Sequence, residues 1–244
     1  MNRDAYERMA VHQGQHWWFV GRRSVLEALL RSLRLPNCAH ILEVGCGPGG
    51  NLSLLQRFGQ VDAVESDLHS RITAGALSGL PVRDGRLPDE LDLGGQRYDL
   101  ICLFDVLEHI KDDQSALQAL SQHLKPGGRL LITVPAYAWL YSQHDERHHH
   151  HRRYTARSLR DTAARAGWSA ARVGYFNSLL FPIAAAKRLA ERVLRRSLGD
   201  DDIQPAPRVN RLLTALFSLE ARWSGLHLLP AGLSVAGVFT VQAG

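Results

Sequence analysis

"ILEVGCGPGG", residues 41–50, is an apolar run that breaks into four glycines and a proline within six positions. A strand ending in glycines can turn tightly and bring its backbone close to a nucleotide. Gly45, Gly47 and Gly50 satisfy G-x-G-x-x-G, the pyrophosphate fingerprint of dinucleotide-binding folds, but that pattern alone is weakly specific. Glu43, two residues before the first glycine, argues against a pyrophosphate. A carboxylate beneath the turn repels phosphate and attracts an ammonium group, so the expected ligand carries an amino group and a ribose. Glu65 lies about twenty residues after Gly45, where an acid at the end of the second strand accepts hydrogen bonds from ribose hydroxyls.

Working outward, strand-like stretches occur at 39–44, 61–65, 100–104 and 129–134, with helix-length spacers after the first three. Strands alternating with helices imply right-handed crossovers and a parallel sheet. Upstream, residues 15–35 repeat apolar side chains at helical spacing (Trp18, Val25, Leu26, Leu29, Leu33) until Pro36 and Asn37 end the segment. Downstream, "LKPGG" (124–128) is expected to stop a helix begun near residue 112 and turn the chain into the fourth strand. Thr155 can cap a helix that Gly167 ends, "WSAARVGYF" reads as a strand, and the last strand falls at 234–242. The third stretch, within "DLICLFDVLEHI", sets Asp105, Glu108 and His109 at its carboxyl end, where open α/β sheets bind ligands.

At 244 residues one α/β domain with insertions suffices. Its expected parts are an N-terminal helical cap (1–36), a cofactor-binding core (37–176), a helical insertion (177–230) and the last strand (231–244). The net charge of +5 suits an anionic partner without choosing one. Cys38, Cys46 and Cys102 have no C-x-x-C spacing, and no signal or transit peptide is evident, so a reduced cytoplasmic chain is expected. No apolar run reaches the roughly eighteen residues of a membrane-spanning helix. Contact with a membrane would be peripheral.

The ordered motifs "ILEVGCGPGG", "AVESD", "YDLICLFDVLEH" and "LKPGGRLLITVP" resemble those of class I S-adenosylmethionine-dependent methyltransferases over about residues 39–135. The flanking "HWWFVGRR" and "HDERHHHHRRYT" are similar to a bacterial subgroup of these enzymes, of the type 11/12 kind. The resemblance implies a Rossmann-like, mostly parallel seven-stranded sheet with helices on both faces and an antiparallel last strand inserted beside its predecessor. It implies S-adenosylmethionine as cofactor, with Gly45, Gly47 and Gly49 approaching it and Cys46 and Ser66 among the contacting residues. It also sets Glu43 near the methionine amino group and Glu65 on the ribose. Asp84 or the backbone of Gly85, in "VRDGRLP", would lie by the adenine, and Asp105 would also face the cofactor. Trp18 is either a staple holding the N-terminal helix to the sheet or a lid over the cofactor.

The acceptor is expected to be a small or lipid-linked molecule methylated at oxygen, and nucleic acid is not expected, because no aromatic-basic recognition motif is present. His144 and Asp145 follow the fourth strand on a loop that should overhang the methyl group, so either can be the general base. His109 is the third catalytic candidate, and Arg152, Arg153 and Tyr154 could clamp a substrate carboxylate or phosphate. Arg22 and Arg23 read first as solvated charges. Four consecutive histidines point in different directions and do not form a metal site. At a helix start Asp105, Glu108 and His109 share one face. Some methyltransferases acting on oxygen hold a divalent cation with a similar E-x-x-E-H group and a later histidine, here His144 or His151. The favoured expectation is no metal, with Glu108 and His109 orienting the cofactor end and the helix. The insertion carries Lys187, Arg188, Arg192, Arg195 and Arg196 on one half of its first helix. Its second helix is broadly apolar through Leu212, Leu216, Leu219, Trp223 and Leu226. Packing against the sheet is the plainer account, a membrane-surface element or lipophilic cover the alternative. An NAD-dependent oxidoreductase and a non-catalytic nucleotide-binding module are the competing classes.

Overall fold

A computed structural model of the chain describes residues 13–194, 205–225 and 227–242. Helix α1 (Trp17–Leu33) is followed by β1 (Ala39–Val44), α2 (Leu52–Leu55), β2 (Gly59–Val64), α3 (Leu68–Ser78), β3 (Val82–Arg83) and β4 (Tyr98–Phe104). After a single 3-10 turn at Leu107–His109 come α4 (Asp113–Ser121), β5 (Leu124–Pro135), α5 (Gln143–Arg147), α6 (Ala156–Arg165) and β6 (Trp168–Phe176). The chain then forms α7 (Phe181–Leu194), α8 (Pro207–Leu219), α9 (Ala221–Ser224) and β7 (Ser234–Val241).

The strands form one seven-stranded sheet in the order β3-β2-β1-β4-β5-β7-β6. β1 to β5 pair in parallel, whereas β7 runs antiparallel to both β5 and β6 and is inserted between them. Alternate side chains leave opposite faces of a strand, so a strand buried on both sides must be apolar throughout. β4 obeys this: Leu100, Cys102 and Phe104 enter one apolar cluster, Ile101 and Leu103 the other. Val25, Leu26 and Leu29 of α1 cover the first face, and Leu117, Leu120 and Leu159 of α4 and α6 cover the second. The structure departs from the sequence reading at two places, a strand it did not foresee and the boundary between α4 and β5. β3 has only two residues, too few to show a pattern. α4 ends at Ser121, and "LKPGG" is the opening of β5 itself, with an irregular register against Tyr98 and Leu100.

The insertion's second helix, α8, packs on α1. Phe217 is fully buried over Gly21, where an added Cβ would sit 2.5 Å from its ring. Asn210 fastens the pair by accepting from the Trp17 amide at 2.9 Å and donating to the Gln15 carbonyl at 2.9 Å. Leu216 packs against the core while Leu212 stays exposed, so the apolar face of α8 is only partly used; Leu226 lies outside the described residues. Gly21→Val forces Phe217 aside and should cost about 1–3 kcal/mol, read as a lower urea midpoint. An unchanged midpoint would show that α8 does not depend on this contact.

Candidate functional site

At the carboxyl ends of β1, β2 and β4 lies a cavity of about 730 Å³. The glycine loop forms its floor. Gly45, Gly47 and Gly49 have φ of 72°, 54° and 86°, a region that L side chains rarely adopt. The amides of Gly45 and Cys46 both donate to the Val64 carbonyl, fixing the loop over β2. Gly45, Cys46 and Gly47 line the cavity. Gly49 does not, and a Cβ there would meet Ala74 of α3 at 2.9 Å, so it serves helix packing and Gly50 takes the place on the wall.

Glu43 lies beneath this loop, 1% exposed. One carboxylate oxygen accepts from Asn51 Nδ2 at 2.9 Å, and the other has no hydrogen-bond partner among the described residues. Burial pushes its carboxyl up to about 7, against the opposing pull of Asn51 and the Arg22 charge. An orphaned buried carboxylate oxygen is costly unless a donor supplies what the protein does not. Glu65 lines the cavity, accepting from the Gly47 amide at 2.8 Å and the Asp67 amide at 2.9 Å, so it also ties the glycine loop to the start of α3.

Ser66, Gly85, Asp105, His109 and Trp18 also line the cavity, as the sequence suggested. Asp84 does not: its side chain is 72% exposed and paired with Arg71, while Gly85 and the segment after it line the wall. Arg22 is the main correction on this wall. It is 5% exposed, not solvated, with its guanidinium 4.9 Å from the Trp18 ring centroid and 2.5 Å from Asp105 Oδ2. Lys111, Ser115 and His151 also line the cavity. Lys111 comes from the turn after β4, Ser115 from the first turn of α4 and His151 from the loop after α5; no local pattern marks Lys111 or Ser115, whereas His151 stood out only within its histidine run.

The loop after β5 is arranged otherwise than expected. Asp145 is fully buried, capping α5 through the Ser142 amide and taking both Arg153 Nε at 2.7 Å and His150 Nδ1 at 2.8 Å. Burial alone would raise its carboxyl, but the His150 and Arg153 hydrogen bonds prevail and hold it well below the usual range. A carboxylate so pinned cannot take a hydroxyl proton at neutral pH, which removes Asp145 as a base. His144, its ring tilted against that of His148 at 4.2 Å between centroids, is also absent from the cavity wall. The expected substrate clamp is occupied as well. Arg153 holds Asp145, Arg152 donates to the Lys111 carbonyl and pairs with Asp113, and Tyr154 donates to Asp113 at 2.8 Å. Of the three catalytic candidates only His109 faces the cavity. Burial and the neighbouring His150 push its imidazole down to about 3, so it is neutral.

Asp105, Glu108 and His109 do not share a face. Asp105 has φ of 57° and turns to Arg22, and the residues after it form a 3-10 turn instead of an α-helix. Glu108, fully buried, and His109 point instead towards His150.

Sheet order and site together define an α/β domain with a ligand cavity at the carboxyl ends of its parallel strands, Glu43 lying buried behind the glycine loop and not on the cavity wall. A family model described as "Methyltransferase domain" matches residues 8–173. Trans-aconitate 2-methyltransferase of Variovorax paradoxus is 31% identical over 146 residues, 59% of this chain and 51% of that protein. Ubiquinone biosynthesis O-methyltransferase of Xanthomonas axonopodis is 33% identical over 135 residues, 48% of this chain and 55% of that one. The chain thus spans about half the length of these relatives. In fold alone, it matches a chain from the complex between the Haloferax volcanii Trm112 methyltransferase activator and a putative methyltransferase. There the TM-score is 0.62 at 17% identity, over 99% of this chain and 98% of that one. The chain belongs to the methyltransferase-domain family.

Proposed function

We propose that the chain methylates an oxygen of a small or lipid-linked acceptor at the rim formed by His109, Lys111 and His151. The observation that carries the cofactor end of this reading is the orphaned oxygen of Glu43 beneath a loop with three glycines at positive φ. Those groups fit S-adenosylmethionine, which supplies an electrophilic methyl group on a sulfonium. Glu43 holds its ammonium group, Glu65 its ribose and the backbone of Gly85 its adenine edge. Arg22, its charge matched by Asp105 and its guanidinium over Trp18, forms part of the same wall. Trp18 and Phe104 flank that charge and exclude water from it. The imidazole of His109, pushed down to about 3, takes no proton at neutral pH; it can accept a hydrogen bond from an acceptor hydroxyl and so orient its oxygen without presenting a cation to the sulfonium. Positioning of this kind can lower a barrier by roughly 7–11 kcal/mol.

Calorimetry should show binding of S-adenosylmethionine and of its demethylated product, and none of NAD. Glu65→Ala should weaken the first two by more than about 1 kcal/mol, since it removes charge-assisted hydrogen bonds to the ribose. Tight NAD binding with no response to S-adenosylmethionine would end this reading. The acceptor itself is sought by incubating cell extracts with a radiolabelled methyl donor.

For a lipid-linked acceptor the supporting feature is α7. Ile183 and Val193 are 67% and 81% exposed, and Leu189 and Leu194 are exposed with them. Its cations are less available than the sequence implied. Lys187 and Arg188 pair with Glu191, Arg192 donates to the Trp139 carbonyl, and Arg195 and Arg196 lie outside the described residues. No helix of the described residues is long and apolar enough to cross a membrane. A cytoplasmic chain making peripheral contact should float with anionic vesicles at low salt and detach at high salt. If it ignores vesicles and the acceptor is small and polar, α7 has no lipid role.

A further inference from the structure

Beside the cofactor cavity, Glu108, His109 and His150 bring one ligand atom each to within 4.8 Å of one another. Glu108 is fully buried, and neither of its carboxylate oxygens has a hydrogen-bond partner among the described residues. Its neighbour Asp105 supplies no donor, being a second acid turned to Arg22. A buried carboxylate without donors is expensive, and such groups are normally paired or coordinate a metal. The imidazoles of His109 and His150 stand over it edge to face, with centroids 4.6 Å apart.

The cluster is positioned by the rest of the loop. His150 Nδ1 meets Asp145 Oδ1 at 2.8 Å; because Arg153 keeps that carboxylate charged, Nδ1 carries the proton and Nε2 presents its lone pair. A carboxylate behind a histidine in this way fixes the tautomer and orientation of a metal ligand. Two backbone bonds hold the loop in place: the His150 amide to the Asp145 carbonyl at 2.9 Å, and the His151 amide to the Glu108 carbonyl at 2.8 Å. Between α5 and His150, His149 adopts φ of 56°. That reversal accompanies the turn of His150 towards Glu108 and His109, whereas the sequence offered His144 or His151 as the later histidine.

We propose that Glu108, His109 and His150 bind a divalent first-row transition-metal ion whose remaining coordination positions face the cofactor cavity. Two imidazoles and one carboxylate suit zinc, iron(II), manganese or cobalt, and disfavour calcium and magnesium, which take oxygen ligands. Because His109 lines the cavity, a bound ion there would meet the acceptor's oxygen in place of the bare imidazole. That consequence, unlike the site itself, rests on the oxygen-methylation reading above.

The test uses the full chain, stripped with a chelator and titrated with cobalt(II), whose visible absorption reports nitrogen and oxygen coordination, followed by displacement with zinc. One equivalent should bind. Glu108→Gln and His150→Ala should each weaken binding by more than about a hundredfold, the exposed His149→Asn should leave it unchanged, and Asp145→Asn should weaken it about 10–100-fold through His150. Binding of demethylated cofactor shows that each variant is folded. If Glu108→Gln does not fold, His109→Asn takes its place. No cobalt bound, or equal affinity in all variants, overturns the site. Neither outcome touches the methyltransferase reading, which falls only if the cofactor itself fails to bind.

Discussion

Asp145→Ala should cost about 3–5 kcal/mol of folding stability, the range for removing one partner of a buried ion pair. The side chain is fully buried and holds Arg153 and His150 at once, so its loss leaves a guanidinium in the interior with no counter-charge. The Ser142 amide at the start of α5 also loses its acceptor. Urea denaturation measures the effect. Asp145→Asn, which keeps the shape but not the charge, should fall between alanine and the unaltered protein. A general base on the surface would give the opposite pattern, with turnover lost and the unfolding midpoint intact, and that result would restore the catalytic role this geometry denies.

The second large effect is a pH dependence at Glu43. Its folded carboxyl stands near 7 because burial disfavours the charge, whereas an unfolded glutamic acid titrates near 4.5. The folded state therefore keeps a proton that the unfolded chain has released. Ligand-free stability from this group is fully present below about pH 4.5 and is lost as pH rises to about 7, a difference of roughly 3 kcal/mol. Cofactor affinity should run the other way. An ammonium group binds the charged carboxylate, so affinity should fall by up to about tenfold per pH unit below 7. It should fall again above about 8, where an α-amino group loses its proton. Glu43→Gln isolates the contribution: its stability should lack the decline between pH 4.5 and 7, and its cofactor affinity should be weaker and flat over pH 5.5–7. Parallel pH profiles for the two proteins would show that Glu43 does not titrate with binding.

What the sequence disclosed follows from the range over which each feature acts. The glycine loop, Glu43 and Glu65 are set by strand ends a few residues away, and all three lie where local spacing put them. β1 matched its expected bounds because a doubly buried strand is a continuous apolar run between turn residues. The rim was not legible. Arg22 is buried by Asp105, which follows it by more than eighty residues, and no pattern around "GRR" marks that pairing. Asp145, Arg152, Arg153 and Tyr154 have the composition of a solvent-facing binding loop, yet their charges are spent on each other and on Asp113. Composition gives the inventory of charges, and only tertiary structure shows which of them are already matched. The helical-face expectation for Asp105, Glu108 and His109 failed for a local reason: positive φ at Asp105 and a 3-10 turn break the i, i+3, i+4 geometry.

The position of β7 also dictates an order of assembly. Among the described residues β6 pairs with no strand except β7, and β7 follows it in the chain only after α7, α8 and α9. The half of the sheet from β3 to β5, which carries Glu43, Glu65 and the glycine loop, can pair without it. A growing chain can thus complete the nucleotide half early, while β6 waits with both edges unpaired until residues 234–241 slide into the gap. α1 waits similarly, since Phe217 must arrive before Gly21 is covered. Unpaired strand edges invite association with other chains. The interval between the emergence of β6 and that of β7 is therefore the part of this protein's synthesis most exposed to misassembly, and the stage at which a chaperone would have most to protect.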